Sequence, residues 1–294
     1  MSNLMSRIAG APITWGVDGS PGWGYLMDPE RVLREMSEVG LRATELGPDG
    51  YLPVDPDELR STLDRHHLDL IGGFVPAVLY RTDVAEDQIA YVERAARTLA
   101  ACGSKTLVLG PDSHHAGYDT PIDMTEDEWV TFLGNLDRVT KIAEENGLTA
   151  ALHQHWGMAI ERPLHVDRLL AESDIGLCVD SGHLFLGDAD PVQVAKAAGD
   201  RVVHVHLKDV DAVMAARVRE GDLPFRQAVI DGMFKPLGTG DIDITGFVTA
   251  IERSGYAGWH VLEQDTVLDE DPLPGEGPIS DARTSFEYLE SIVL

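Results

Sequence analysis

Four apolar segments in the second half of the chain end in side chains that can bind a metal ion. IGLCVD, VVHVH and WHVLE end at Asp180, His206 and Glu263, and LTAALHQH ends at His153 and His155. Each segment has the length and β-branched content of a buried strand, and enough residues separate the segments for helices. Parallel strands with helical crossovers present their carboxyl ends on one side. The pattern therefore predicts that Asp180, His206 and Glu263 bind one divalent metal ion.

The fourth ligand of this predicted site has two candidates. His153 closes its segment directly, whereas Glu161 lies in the loop beyond and would have to fold back. Mixed carboxylate and imidazole ligands suit Mn²⁺, Co²⁺, Fe²⁺ or Zn²⁺ better than Ca²⁺. His204 and His260 lie two or more residues before a strand end, which favours packing or supporting roles for both.

Two residues just beyond the predicted ligands are candidates for catalysis. His183 follows Asp180 by three residues in DSGH, a spacing that fits proton transfer or a hydrogen bond to substrate beside the metal. Lys208 follows His206 by two and points to the same side, where a cation can hold a substrate oxygen or stabilise an enolate. An ion pair with a neighbouring carboxylate is the alternative for Lys208. Glu161 is the second candidate for proton transfer.

Three more residues are expected to contact or orient the substrate. Trp15 and Glu45 end the first two predicted strands, and His155 follows the fifth. The ends of strands are where barrel enzymes bind substrate, which gives Trp15 and His155 a substrate-binding role and Glu45 an orienting one. A solvated or salt-bridged carboxylate is the alternative for Glu45.

The elements that must position these side chains are eight strand-then-helix units. The predicted strands cover residues 8–15, 41–46, 68–75, 105–110, 148–153, 175–180, 201–207 and 258–263. Asp-Pro pairs at 28–29 and 190–191 predict helix starts, and Thr125 with Glu128 forms a capping-box pattern. A final helix is predicted over about 279–293.

This repeat predicts an α/β fold, a single-domain (β/α)8 TIM barrel over residues 1–294. A doubly wound sheet is the alternative, but it would usually carry a glycine-rich phosphate-binding motif after the first strand, and none is present. An insert at about 209–242, containing LPFRQAV and PLGTGDID, is predicted to lie over the barrel mouth as a lid or substrate contact.

Composition narrows the classes of partner. The net charge of -27, from 50 acidic against 23 basic residues, argues against nucleic-acid and anionic-membrane partners. A solvated acidic surface explains this charge, with adaptation to high salt as the alternative. Cys102 and Cys178, both in apolar segments, predict small buried residues and a reducing cytoplasm. The chain shows neither a secretory signal nor a membrane span.

Seven segments together resemble a known family. APITWG, ELGPDGYLP, LHQHWGMAIE, CVDSGHL, HVHLKDV, PLGTGDID and VLEQD are similar to segments of the xylose-isomerase-like TIM barrel superfamily of sugar phosphate isomerases and epimerases, and most of all to its inosose dehydratase branch. The resemblance covers residues 8 to about 265. It implies a divalent metal held by four side chains, most often Mn²⁺ or Co²⁺, with Mg²⁺, Fe²⁺ and Zn²⁺ as alternatives.

The ligand pattern departs from many members of this superfamily at one position. Asp180, His206 and Glu263 match three ligand positions, but the end of the fifth strand carries His153 where many relatives have Glu. This departure leaves the fourth ligand open between His153 and Glu161. It also weakens the case that this chain uses the two-glutamate isomerase mechanism of those relatives. The HxH pattern formed by His153 and His155 resembles the dehydratase branch more.

The resemblance implies a cytoplasmic, metal-dependent lyase of carbohydrate metabolism. Dehydration of an inosose, 2-keto-myo-inositol, in inositol catabolism through an enediolate is the first prediction. Isomerisation or epimerisation of a keto-sugar or keto-inositol is the alternative, because all these reactions share removal of the proton α to the carbonyl. Relatives often form dimers or tetramers, which leaves a homo-oligomer open. An abasic-site endonuclease and a non-catalytic sugar-binding protein are further alternatives; the charge of -27 opposes the first and the intact ligand set opposes the second.

Overall fold

A closed barrel of eight parallel strands forms the centre of the computed structural model, which describes residues 4–292. The barrel strands are β1 (Ile8–Gly10), β2 (Ala43–Glu45), β3 (Asp69–Pro76), β4 (Thr106–Gly110), β5 (Thr149–His153), β6 (Gly176–Asp180), β7 (Val202–Leu207) and β10 (His260–Leu262). They pair in chain order, and β10 closes the barrel between β7 and β1. The predicted (β/α)8 TIM barrel is confirmed.

The largest difference from the predicted strands is at the first one. It was expected over 8–15, but β1 ends at Gly10 and a short 3-10 helix, Pro12–Trp15, follows. Proline has no N–H to donate to a neighbouring strand, and its fixed φ suits the first turn of a helix. Trp15 therefore lies beyond a helical turn and not at the end of a strand.

The helices are α1 (Pro29–Val39), α2 (Pro56–Arg65), α3 (Ala85–Ala101), α4 (Glu126–Glu145), α5 (Pro163–Glu172), α6 (Ser181–Leu186), α7 (Pro191–Ala198), α8 (Ala212–Arg219), α9 (Phe225–Ile230), α10 (Ile244–Arg253) and α11 (Pro278–Ser291). The predicted helix starts are confirmed, since Asp28 and Asp190 cap α1 and α7 and the Thr125–Glu128 capping box precedes α4. The predicted end of the last helix, Val293, lies outside the described residues.

The barrel interior changes from apolar to polar towards the carboxyl ends of its strands. Ala43 and Val261 belong to a small apolar cluster inside the barrel, and each lies two residues before a carboxylate, Glu45 or Glu263. Because side chains alternate along a strand, these carboxylates point into the same interior one layer higher. Cys102 and Cys178 are buried and free, as predicted. Within residues 4–292 there is no helix of the length and apolarity needed to cross a membrane.

The insert after β7 forms a small cap over the barrel mouth. Its strands β8 (Asp209–Val210) and β9 (Phe234–Lys235) pair antiparallel, with α8 and α9 between them. The Phe225 N–H donates to Asp119 Oδ1 at 2.7 Å, and Arg226 Nε donates to the Trp23 carbonyl at 3.0 Å. Because Asp119 follows β4 and Trp23 follows β1, α9 is tied to loops from two separate parts of the mouth.

Asp209 holds the end of this insert, and its loss is expected to destabilise the fold. The buried Asp209 carboxylate accepts hydrogen bonds from the N–H groups of Gly238, Gly240 and Ile242, at 2.9, 2.9 and 3.0 Å. Removing it with Asp209→Ala leaves buried donors unpaired, so we expect urea denaturation to show a loss of about 3 kcal/mol in the free energy of unfolding. Asp211→Ala, which removes an ordinary cap of α8, should cost only about 1 kcal/mol. Equal losses in the two variants would contradict this role for Asp209.

Candidate active site

The predicted metal-binding residues meet at the carboxyl ends of neighbouring strands. His153 and Asp180 end β5 and β6, His206 is the penultimate residue of β7, and Glu263 directly follows β10. Asp180 lies opposite His206 in the parallel register, and Val261 is the β10 partner of His206. Pairing of adjacent strands thus brings four side chains together that lie far apart in the sequence.

Asp180, His206 and Glu263 have the geometry of a cation site. Their ligand atoms lie within 4.8 Å of one another. His206 Nδ1 is 2.6 Å from Glu263 Oε2 and 3.5 Å from Asp180 Oδ2. His206 Nδ1 and Glu263 Oε2 are both buried, yet neither makes a hydrogen bond within the described chain. A divalent ion held by both residues would satisfy both atoms, so the residues present fit a metal.

The structure brings His153, and not Glu161, to this trio. His153 Nε2 lies 3.2 Å from Asp180 Oδ2, and His153 Nδ1 is buried without a hydrogen-bond partner in the described chain. The Glu161 carboxylate instead accepts the Gly157 N–H at 2.8 Å within its own loop. Of the two candidates for a fourth ligand, His153 is therefore the one whose position fits.

Glu45, on β2, hydrogen-bonds to the candidate ligand His206, on β7. Glu45 Oε1 accepts from His204 Nε2 at 2.8 Å and from His206 Nε2 at 3.1 Å. Burial alone would raise the pKa of Glu45, but the charge and hydrogen bonds of His206 and His204 outweigh it and lower that pKa. With Nε2 occupied, His206 presents Nδ1 to Asp180 and Glu263.

Lys208 lies among carboxylates beneath the cavity surface. Its Nζ is 2.6 Å from Glu263 Oε1, 2.5 Å from Asp265 Oδ1 and 3.8 Å from Asp180 Oδ2. Burial alone would lower the pKa of Lys208, but Asp265 and Glu263 outweigh it and raise that pKa. The stem of Lys208 needs the glycine of DSGH, because a Cβ on Gly182 would come within 2.5 Å of Lys208 Cβ. Lys208 therefore forms ion pairs with neighbouring carboxylates, which was the alternative interpretation of this residue.

Asp265 was missed as a site residue in the sequence. It is 7% exposed, and burial raises its pKa to about 6 although Lys208 opposes the shift. The EQD segment could have indicated Asp265, because this residue follows the candidate ligand Glu263 by two and so points to the same side.

Two imidazoles, His155 and His183, pack against each other beside the trio with their ring planes tilted by 34°. Their ring centroids are 3.7 Å apart. Burial lowers the pKa of His155 to about 3 and also lowers the pKa of His183. The His183 N–H donates to Asp180 Oδ1 at 2.8 Å, which fixes His183 relative to the ligand. Trp15 does not join this group, because its buried indole donates to Glu35 Oε2 at 2.9 Å.

A cavity of about 500 Å³ opens above these residues. Its lining includes the carboxylates Glu45, Glu263, Asp265, Asp18, Asp49 and Asp112, the imidazoles His153, His155 and His206, and the apolar side chains Trp23, Phe74, Tyr118, Met158 and Phe225. Among the described residues, no Lys or Arg belongs to this lining. The predicted site residues Trp15, Glu161, Asp180, His183 and Lys208 lie behind the lining.

A histidine at the start of α5 is expected to make stability depend on pH. Burial lowers the pKa of His165 to about 4, below its value of about 6.5 in an unfolded chain. Between pH 6.5 and 4 the unfolded state therefore binds the proton more readily, so the free energy of unfolding should fall by about 2 kcal/mol as the pH drops through this window. Urea denaturation at several pH values measures the slope. His165→Asn should make the slope shallower by this contribution, while the buried His155 and His183 keep theirs, and His67→Asn should leave the slope unchanged. An unchanged slope in His165→Asn would refute the assignment.

Comparisons with known proteins agree with this architecture. Residues 33–292 match the family model of the xylose isomerase-like TIM barrel. Inosose dehydratase of Lacticaseibacillus casei is 31% identical, over 96% of this chain and 95% of its own, and the rhizopine catabolism protein MocC of Rhizobium meliloti is 33% identical, over 98% and 89%. The crystal structure of the IOLI protein with a binding zinc atom superimposes with a TM-score of 0.70 at 17% identity, over 98% of both chains. The chain therefore belongs to the xylose isomerase-like TIM barrel family.

Proposed function

We propose that this protein is a metal-dependent dehydratase that removes water from an inosose, 2-keto-myo-inositol, through an enediolate. The observation that carries the proposal is the pair of unpartnered atoms, His206 Nδ1 and Glu263 Oε2, beside Asp180 at the base of the cavity. The relatives named inosose dehydratase support this substrate and an enzymatic role.

The metal would be held by Asp180, His206 and Glu263, with His153 as the fourth ligand. A divalent ion there would polarise a substrate carbonyl and make the neighbouring C–H more acidic. Because of the family resemblance, we propose Mn²⁺ or Co²⁺ as the bound metal. The IOLI structure, which contains a zinc atom, supports Zn²⁺ as an alternative.

The remaining residues would bind the substrate and move its proton. The aromatic side chains Phe74, Tyr118 and Phe225 form an apolar wall of the cavity against which the C–H groups of a cyclitol ring can pack. Carboxylates of the lining would accept hydrogen bonds from its hydroxyls. His155, whose side chain lines the cavity, would take up the α-proton and return it to the departing hydroxyl, which balances the loss of one water. Lys208 and Glu45 would fix the positions of Glu263 and His206.

The lining also defines the charge of the substrate. Six carboxylates line the cavity, and the described lining contains neither Lys nor Arg. A phosphorylated sugar would enter this field against electrostatic repulsion, because carboxylates and phosphate carry charge of the same sign. The proposed substrate is therefore uncharged. Cytoplasmic location and assembly into a homo-oligomer stay predictions from the sequence.

Epimerisation or isomerisation of the same keto-cyclitol is the second candidate. The specific observation in its favour is that the ligand trio supports enolisation, a step that precedes either outcome. Solved structures of sugar epimerases share this fold, with a TM-score of 0.71 for L-ribulose 3-epimerase.

One assay separates these functions. The purified protein is reconstituted with Mn²⁺, Co²⁺ or Zn²⁺ and given 2-keto-myo-inositol, and the absorbance of the dehydrated diketone is followed in the enone region. We expect metal-dependent growth that is lost in Asp180→Asn. Exchange of the α-proton in D₂O without absorbance growth would move the assignment to an epimerase or isomerase. Absence of both would refute the substrate class.

A further inference from the structure

The backbone of one residue, Trp156, contacts both imidazoles of the His155–His183 pair, with its N–H on one ring and its carbonyl oxygen on the other. The Trp156 carbonyl oxygen is 2.7 Å from His155 Nδ1. The Trp156 N–H points to His183 Nδ1 at an N···N distance of 3.4 Å. These two contacts require opposite protonation of the two Nδ1 atoms.

The first contact defines the tautomer of His155. A carbonyl oxygen can only accept, so the Nδ1 of His155 must carry the hydrogen. In a neutral imidazole the other nitrogen then keeps a lone pair. Nε2 is therefore an acceptor, and it is the ring nitrogen that remains for the cavity, whose lining includes His155.

The second contact defines the opposite tautomer for His183. A peptide N–H can only donate, so Nδ1 of His183 must be the acceptor and Nε2 must carry the hydrogen. This Nε2 is buried without a hydrogen-bond partner in the described chain, and it faces Asp265 Oδ2 at 4.0 Å. At 4.0 Å the Nε2–H of His183 is too far from Asp265 for a hydrogen bond, and His183 is not part of the cavity lining.

We infer that the Trp156 backbone assigns complementary tautomers to His155 and His183, so that His155 presents an acceptor nitrogen to the substrate while Nε2 of His183 carries a hydrogen. The inference rests on the proposed function only for the identity of the substrate. It gives His155 the contact with a substrate hydroxyl and makes His183 a buried donor, although the spacing in DSGH had favoured His183 for contact with substrate.

Neutron diffraction of deuterated, metal-loaded crystals tests the tautomers without any substrate. We expect deuterium on Nδ1 of His155 and on Nε2 of His183. The same pattern is expected in Trp156→Phe, because this substitution keeps the backbone N–H and carbonyl that contact the two rings. Deuterium on Nε2 of His155, or on Nδ1 of His183, would overturn the inference. This result stands even if 2-keto-myo-inositol is not turned over, so the failure of the inference and that of the proposed function are distinguishable.

Two substitutions of His155 then test the acceptor in the active enzyme. The amide of Gln reaches the position of Nε2 and can accept a hydrogen bond there, whereas the shorter Asn reaches only the position of Nδ1. For 2-keto-myo-inositol we expect His155→Asn to raise KM by about tenfold and His155→Gln by less than about threefold, the effect of losing or keeping one hydrogen bond. Metal content should be unchanged in both variants. An equal rise in KM, with metal retained, would refute the acceptor role.

Discussion

Asp180→Asn is expected to remove metal binding and activity while the fold is retained. Asp180 Oδ2 faces His153, His206 and Lys208, and Oδ1 caps α6 by accepting the His183 N–H. Asn caps a helix as well as Asp does, so the cap survives, but the negative charge at the ligand position is lost. We expect metal affinity to fall by at least about 100-fold and kcat/KM by about 10³-fold.

The matched control for this substitution is Asp190→Asn. Asp190 caps α7 through the N–H groups of Val192 and Gln193 and lies outside the cavity lining. The two variants make the same chemical change at the same type of position, so any difference reports the metal site. Isothermal titration with Mn²⁺ or Zn²⁺ gives the affinity, and thermal unfolding checks the fold. Wild-type metal affinity in Asp180→Asn would disprove this ligand assignment.

Lys208→Met is expected to cause the largest loss of stability of any single substitution considered in this protein. Lys208 is 1% exposed, and its Nζ is the cation that contacts both Glu263 and Asp265. Its removal leaves buried carboxylates without a counter-charge. Breaking a buried pair in this way costs about 3–5 kcal/mol. Urea denaturation of the metal-free protein measures this loss, because a bound cation would replace part of the missing charge.

Two further variants show whether charge is the cause. Adding Asp265→Asn to Lys208→Met removes one of the stranded carboxylates and should restore part of the stability. Lys141→Met removes an exposed lysine 3.8 Å from Glu145 and should have little effect, since exposed ion pairs contribute little. If Lys208→Met is no more destabilising than Lys141→Met, then Lys208 does not neutralise these carboxylates.

The sequence correctly predicted that Asp180, His206 and Glu263 meet at the carboxyl ends of the barrel strands. The length and apolar content of each strand depend on nearby residues, and alternation along a strand determines which side chains point inward. Asp180, His206 and Glu263 could therefore be placed together without coordinates. Trp15 shows how this reasoning fails, because Pro12 ended the first strand early and a helical turn carried the indole to Glu35.

The sequence by itself determined the TIM barrel and the meeting of Asp180, His206 and Glu263 at one end of it, because strand length, helix caps and inward alternation are all local properties. Only the tertiary structure decided which partner each polar group has. Glu45 binds His206 across 161 residues of sequence, and His153 lies beside Asp180 while Glu161 stays in its own loop. The carboxylates that surround Lys208, and the contacts of the Trp156 backbone with two imidazoles, depend on segments that meet only in the folded chain. No periodicity in the sequence encodes those distances.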